Sequence, residues 1–375
     1  MNRTLSWMIA AILAICGIAS ADAQKIKTVD AEGNPVGYAT IINAVDGKMI
    51  GSTNLDGEFV NSAGVPKIIV THVAFNTKTV DVASLTDGII TLEDSDWGLN
   101  EIVVKPKDFI YVQTYYRVIY MEDDTLLYYR AGVTDNTYDI AKKKASSSHS
   151  HFSKSSMGLL KFLMDRFFGG ILDGYSDINP ESPCVTKKGK GKFTYTQETP
   201  TRFRVDYNGK RIGNMVDDVE SHQRRIAIDN KEYMKIIWAE KAENASEKKR
   251  KKLEARMESR EEREKNRVES RYTIYELDAD GNCGVEDFIA RELKIDYDKF
   301  DKANNKDEHI RIWVEVFSTD RAYVDKEDLK ELKRNNKIDM NYADIQQFEK
   351  SHDIPAMPEN AHKALVELLN KKEKK

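Results

Sequence analysis

Long apolar runs, cysteine and proline are scarce in this chain of 375 residues, and each shortage removes a class of protein. The apolar run Met8–Ile15 falls short of the roughly 20 residues that a membrane-spanning helix needs. Three cysteines are too few for a fold built on disulfides, and 8 prolines with 20 glycines exclude a collagen-like fibre. Charge of one sign is missing too. The 58 Lys and Arg stand against 62 Asp and Glu for a net charge of −4, which argues against a dedicated nucleic-acid binder. The chain contains no H-E-x-x-H, no G-x-S-x-G, no P-loop and no dinucleotide-binding fingerprint. What is present, 40% apolar and 32% charged residues, suits globular folding in two or three domains.

The first residues read as a targeting segment. Arg3 supplies a positive start, Met8–Ile15 a short apolar core between Ser6 and Gly17, and Ala21-Asp22-Ala23 a small-residue cleavage box before Gln24. The expectation is a signal peptide over 1–23, cleaved after Ala23, and an exported protein in the periplasm or at the outer membrane. Leu13-Ala14-Ile15-Cys16 has part of a lipoprotein box, with Ile15 where a small residue belongs. Export makes Cys184 and Cys283 a disulfide candidate closing a loop of about 100 residues; two unpaired buried thiols are the alternative.

Between Lys25 and Val104 the chain alternates short β-branched runs with turn chemistry. The runs are Gly37–Ile42, Lys67–Thr71, Gly88–Leu92 and Ile102–Val104. Glu32–Pro35, Asp46-Gly47, Asp56-Gly57, Ala63–Pro66 and Asp87-Gly88 punctuate them. Strands of about five residues with turns about every ten predict an antiparallel β-sandwich. Four fragments carry a resemblance. Asp30–Ile41 is similar to the opening of carboxypeptidase-regulatory-like domains, and Ser52–Phe59 resembles their central T-(N/D)-x-x-G-x-F turn. Val70–Phe75 is similar to the strand that follows, with Ala74-Phe75 in place of Gly-Tyr. Leu99–Val104 resembles the L-(N/D)-E-V-V-V exit seen after this module in TonB-dependent receptors of the Bacteroidota. The resemblance implies a Greek-key, transthyretin-like sandwich over 24–105, an accessory module without catalytic residues. The zinc carboxypeptidases' H-x-x-E pair is absent, since His72, His222, His309, His352 and His362 each lack a Glu three residues on. No plug follows Val104, and the remaining chain is too short and too charged for a large barrel.

The rest is expected to form an α+β domain over 106–340 with an antiparallel sheet, then a helical tail over 341–375. Phe109–Val112, Tyr115–Tyr120 and Thr125–Tyr129, broken at Met121–Asp124, predict a Tyr-rich hairpin. The polar stretch 142–156 reads as a flexible loop, and its His149 and His151 lack a carboxylate partner for a metal. Met157–Leu172 presents a broad apolar helical face, suited to core packing or to membrane-surface contact. Lys192–Tyr195, Arg202–Tyr207 and Arg224–Ile228 read as strands, with a hairpin at Asn208-Gly209.

The stretch 231–271 reads as one long charged helix, with 12 basic and 9 acidic residues in the 33 from Ala239 to Arg271. Its Lys248–Lys252 run suits a solvated face, or an anionic lipid or polysaccharide. Tyr272–Leu277 resumes a strand. Asp278, Asp280 and Asn282 have the spacing of a calcium loop, but Cys283 and Ile289 stand where Gly and a bidentate acid belong, so a tight turn is the better account. His309–Ser318 predicts a strand, and Lys326–Arg334 and Glu359–Asn370 predict helices.

Together these features read as a non-enzymatic envelope protein with no catalytic residues, no cofactor and no metal. It would bind or scaffold an envelope protein or glycan partner rather than nucleic acid. An envelope hydrolase of peptide or polysaccharide, with a site distributed along the chain, is the alternative.

Overall fold

A computed structural model describes residues 24–62, 64–95, 107–156, 178, 192–301, 305–335 and 340–370. The expected signal peptide over 1–23, the Ile102–Val104 strand, the Met157–Leu172 helix and Cys184 lie outside them. The described chain is β-rich, with antiparallel sheets and five α-helices. It divides into two compact units. One takes in the described residues up to Thr71 with Thr77–Leu92, and the other takes in His72–Asn76 and the described residues from Glu93 on.

The first unit follows the punctuation of its sequence. Its strands are β1 (Gln24–Val29), β2 (Thr40–Asn43), β3 (Met49–Ser52), β4 (Glu58–Asn61), β5 (Lys67–His72), β6 (Phe75–Asp81) and β7 (Ile89–Thr91). They form a three-stranded sheet, β4-β1-β7, and a four-stranded sheet, β3-β2-β5-β6; the first is mixed, because β1 pairs with β7 in parallel and not in the antiparallel way expected of the whole sandwich. Ile26, Ile41, Ile68, Val70 and Ile90 are buried and form its core. β5 buries every second side chain, as a strand with one covered face must. The Asp56-Gly57 turn is held closely. Gly57 has φ +76°, and a Cβ there would stand 2.4 Å from the Thr28 carbonyl oxygen.

The second unit is built on one ten-stranded antiparallel sheet. Its strands are β8 (Phe109–Glu122), β9 (Thr125–Asp139), β10 (Lys144–Ser155), β11 (Phe193–Gln197), β12 (Arg202–Tyr207), β13 (Lys210–Asp218), β14 (Gln223–Asp229), β15 (Glu264–Glu276), β16 (Phe288–Asp301) and β17 (Lys306–Val324). The order is β10-β9-β8-β17-β16-β15-β14-β13-β12-β11, so β11 to β17 run up and down in sequence and β17 returns to pair with β8. Asn208 and Gly209, both at positive φ, make the two-residue β12–β13 turn that this dipeptide favours. Its helices are α1 (Asn230–Glu243), α2 (Glu247–Arg263), α3 (Lys326–Asn335), α4 (Tyr342–Ser351) and α5 (Glu359–Asn370).

The two faces of this sheet differ. Val112, Val118, Leu293, Ile295, Ile310, Ile312, Val314 and Val316 point to one face and form the main core with Tyr233, Ile236 and Ile237 of α1. The alternate residues point to the other face. There Tyr115 stacks on Phe348 of α4 and Tyr129 meets Tyr342 edge-on, with ring centroids 5.9 and 6.3 Å apart.

Three expectations are corrected. The stretch 142–156 is no loop: twelve of its residues form β10, each opposite a β9 residue. Ser and Lys have low strand propensity, but the ladder offered by β9 overrides it. The charged helix of 231–271 is two helices broken at Asn244–Ser246, and from Glu264 the chain is already strand. The described residues of the expected tail, 341–370, are part of the second unit: α4 packs against the sheet, and α5 buries Ala361, Ala364, Leu365 and Leu368.

Replacing Gly57 by Ala combines left-handed strain with a backbone clash. At Gly33, whose φ is +83° with nothing within 4 Å of a Cβ, Ala meets the strain alone. We expect Gly33→Ala to cost about 1 kcal/mol and Gly57→Ala to cost clearly more. The urea midpoints of the two variants, measured side by side, test this.

Candidate functional site

Along β16, Glu292, Lys294, Asp296 and Asp298 alternate with Leu293, Ile295 and Tyr297. A strand sends alternate side chains to opposite faces, so the apolar set enters the core and the charged set forms a stripe on the other face. Registration extends the stripe sideways. Arg117 of β8 lies opposite Glu315 of β17, which lies opposite Glu292, and Arg311 lies opposite Asp296.

At the inner end of the stripe every named charge has a partner. Arg117, only 2% exposed, donates from Nε to Glu315 and lies 3.8 Å from a Glu349 oxygen of α4. Tyr115 donates its hydroxyl to the same Glu349 oxygen. Lys294 Nζ is 2.9 Å from Glu292 Oε1, with both side chains buried. Burial pushes the Glu292 carboxyl up, Lys294 draws it back, and Glu315 adds to the rise. Burial opposes the Arg117 charge most strongly, but Glu315, Tyr115 and Glu349 together outweigh it and raise the guanidinium pKa above its ordinary value. Breaking one partner of such a pair strands a buried charge, which costs about 3–5 kcal/mol.

The outer end is more open. His309 of β17 is bracketed by two carboxylates, with Nε2 2.8 Å from Asp296 Oδ1 and Nδ1 2.7 Å from Asp298 Oδ1. Both ring nitrogens then donate, which requires the imidazolium. The hydrogen bond to Asp296 raises the His309 pKa above its ordinary 6.5, burial opposes it, and Asp298 adds to the rise. Asn266 donates to the far oxygen of Asp298 at 2.7 Å. Asp123, in the β8–β9 turn, accepts from the His309 backbone N–H at 2.9 Å and pairs with Lys306 at 3.2 Å. The stripe can therefore hold protons and lock strands in register; its carboxylates are already committed to neighbouring cations and hydroxyls.

The residues singled out in the sequence lie elsewhere. His149 and His151 stand on β10, where Nδ1 of His149 is 2.7 Å from the Thr134 hydroxyl and Nδ1 of His151 is 3.3 Å from an Arg130 nitrogen. Cys283 is a free, half-buried thiol raised by burial, with an Arg224 nitrogen 3.6 Å from its sulfur. Asp278 caps a tight turn, accepting from the backbone N–H of Asp280 and Asn282 at 2.9 and 2.7 Å. Among the described residues, no three His, Cys, Asp or Glu side chains gather closely enough to hold a metal.

Sequence reasoning passed over the stripe, although the strict alternation of Glu292–Asp298 was a usable signal. It also missed α4, whose Asn341 and Asp344 form a reciprocal capping box and which delivers Phe348 and Glu349 to the sheet. A scan of the chain against models of protein families finds no match, and a search of curated proteins finds none either.

Two outcomes follow from the stripe. Arg117→Met should destabilise by about 3–5 kcal/mol, and the double variant Arg117→Met/Glu315→Leu should recover most of that loss, because both charges then leave together. Denaturant unfolding of the two variants tests it. His309 has a raised folded pKa, so its contribution is fully present below about pH 6.5 and disappears as pH rises through the folded value. The stability gap between the parent and His309→Asn should therefore shrink between mildly acidic and alkaline pH. An NMR titration of His309 that gave an ordinary or lowered pKa would contradict this.

Proposed function

We propose that this chain is an exported cell-envelope protein of the Bacteroidota type with a binding or scaffolding role. In this reading a carboxypeptidase-regulatory-like, transthyretin-like sandwich forms the N-terminal module. The α+β unit that follows binds or presents the partner, an envelope protein or glycan.

One observation carries the reading. The first unit has seven short strands divided into sheets of three and four, with left-handed glycines at the Asp46-Gly47, Asp56-Gly57 and Asp87-Gly88 turns. That arrangement supports the module suggested by the four sequence fragments. The charge pattern at the N-terminus, with its Ala21-Asp22-Ala23 box, supports export. The wide ten-stranded sheet of the second unit, stiffened by buried ion pairs, suits a rigid platform better than a moving clamp.

The test is cross-linking in living cells through a C-terminal tag, with and without residues 25–105, together with N-terminal sequencing of the mature protein. Expected are a mature chain that begins at Gln24 and an envelope partner that is lost with the deletion. A partner that survives the deletion moves recognition to the second unit. A mature chain that retains Met1 and fractionates with the cytoplasm overturns the reading.

A further inference from the structure

Helix α2 buries no residue, and its charges are sorted by side. At 3.6 residues per turn, Lys248, Lys249, Lys252, Arg256 and Arg263 fall within an arc of about 100° that contains no carboxylate. All five side chains are exposed, and none has a carboxylate within ion-pair distance among the described residues. The opposite flank carries Glu247, Glu254, Glu258, Glu261 and Glu262. Two of these are neutralised within the helix, by Lys251 at 3.0 Å and Arg250 at 3.8 Å. Lys235 of α1 is paired with Glu232 at 2.5 Å, which does most to raise its pKa, and Glu261 adds a smaller coulombic rise. Toward the sheet, Arg260 reaches Glu264 at 2.9 Å and Glu269 at 3.4 Å, while Leu253 and Met257 are half-buried. The helix is thus anchored along one side and partly paired along a second, while the third holds five exposed cations with no carboxylate partner among the described residues, Arg263 Nε donating only to the Ser259 carbonyl at 2.9 Å.

The chemistry of that flank selects its occupant. Protein interfaces centre on buried aromatic and apolar anchors, and this arc has none; Ser259 is its only uncharged residue. A linear polyanion needs a single row or groove, whereas these cations spread across a face about 22 Å long. A planar array of headgroups fits that spread. With no apolar residue to insert, attachment is electrostatic and shallow.

We propose that the basic flank of α2 seats the protein on a membrane surface bearing anionic lipid headgroups. The inference stands on the sorting of charge in α2 alone, and does not depend on the partner-binding reading of the N-terminal unit.

The experiment is sedimentation of the full chain with vesicles of phosphatidylcholine alone or mixed with phosphatidylglycerol, at low and physiological ionic strength. Binding is expected only to the anionic vesicles, and to weaken with salt. The triple variant Lys248→Gln/Lys252→Gln/Arg256→Gln should bind on the order of a hundredfold more weakly, about fivefold per cation. A charge-matched control, Lys25→Gln/Lys326→Gln/Lys330→Gln, should keep most of the binding; circular dichroism confirms that both variants fold. Equal binding to both vesicle types, no binding to either, or equal losses in the two variants overturns the proposal. So does displacement from soluble polyglutamate by the triple variant with no vesicle binding by the parent, which would assign the flank to a polyanion in solution.

Discussion

Charge buried against a sheet that is also the wall of an apolar core is the constraint on which the second unit depends. Arg117, Glu292, Lys294 and Arg311 are all buried on the face opposite the main core. Moving such groups out of water costs several kcal/mol each unless partners are in place. The partners are in place only in one registration. A slip of one residue between β16 and β17 would turn Glu292 and Lys294 toward the core and Leu293 and Ile295 toward the charges. Apolar burial alone prefers this register. The ion pairs add a penalty for every alternative, so the stripe contributes more to specifying the sheet than to stabilising it.

The same constraint explains why α4 sits where it does. Glu349 takes the Tyr115 hydroxyl and faces the side of Arg117 that Glu315 leaves open, while Phe348 covers the Tyr115 ring. Glu349 adds a third acid to the Arg117, Glu315 and Glu292 row, and the Arg117 guanidinium, reached by both Glu315 and Glu349, supplies the charge that offsets it. The outer end needs no such cover. His309 keeps its charge by standing between two carboxylates with water within reach.

Much of this architecture was legible wherever one residue type dominates a periodic pattern. The β12–β13 turn announced itself as Asn208-Gly209, the Tyr-rich hairpin by aromatic alternation, and α3 and α5 by their bounds to within a residue or so. The failures have physical causes. β10 is written in Ser, Lys and His, and becomes a strand because β9 offers it a ladder, a fact that no local window contains. The break at Asn244–Ser246 lies in a helix-compatible stretch with no Gly or Pro, where Asn244 and Ser246 around Ala245 suffice to end one helix and start another. The stripe on β16 alternates perfectly, but its meaning rests on residues far away in sequence. Arg117 and Glu315 are 198 residues apart. Their pairing is a property of topology.

The chain carries its charge in two opposite arrangements, and the contrast bears on what each is for. In the stripe, cations and carboxylates oppose one another across strands, and burial makes each match count. Along α2 the order is reversed. Lys248, Lys252, Arg256 and Arg260 follow one another at intervals of four, as do Glu254, Glu258 and Glu262. Like charges at that spacing destabilise a helix by about 0.2–0.5 kcal/mol per pair, and opposite charges would stabilise it by as much. Only Glu247–Lys251 and Arg250–Glu254 take the favourable arrangement on the acidic side. A helix shaped for its own stability, with so many Lys, Arg and Glu available, would interleave them on every side. α2 instead keeps like charges in rows on both flanks, pairs only part of the acidic one and withholds carboxylates from the basic one, a repulsion that water and salt screen in part. In the proposed docking a surface of fixed negative charge relieves it for all five exposed cations at once, which is what the asymmetry of the helix would serve.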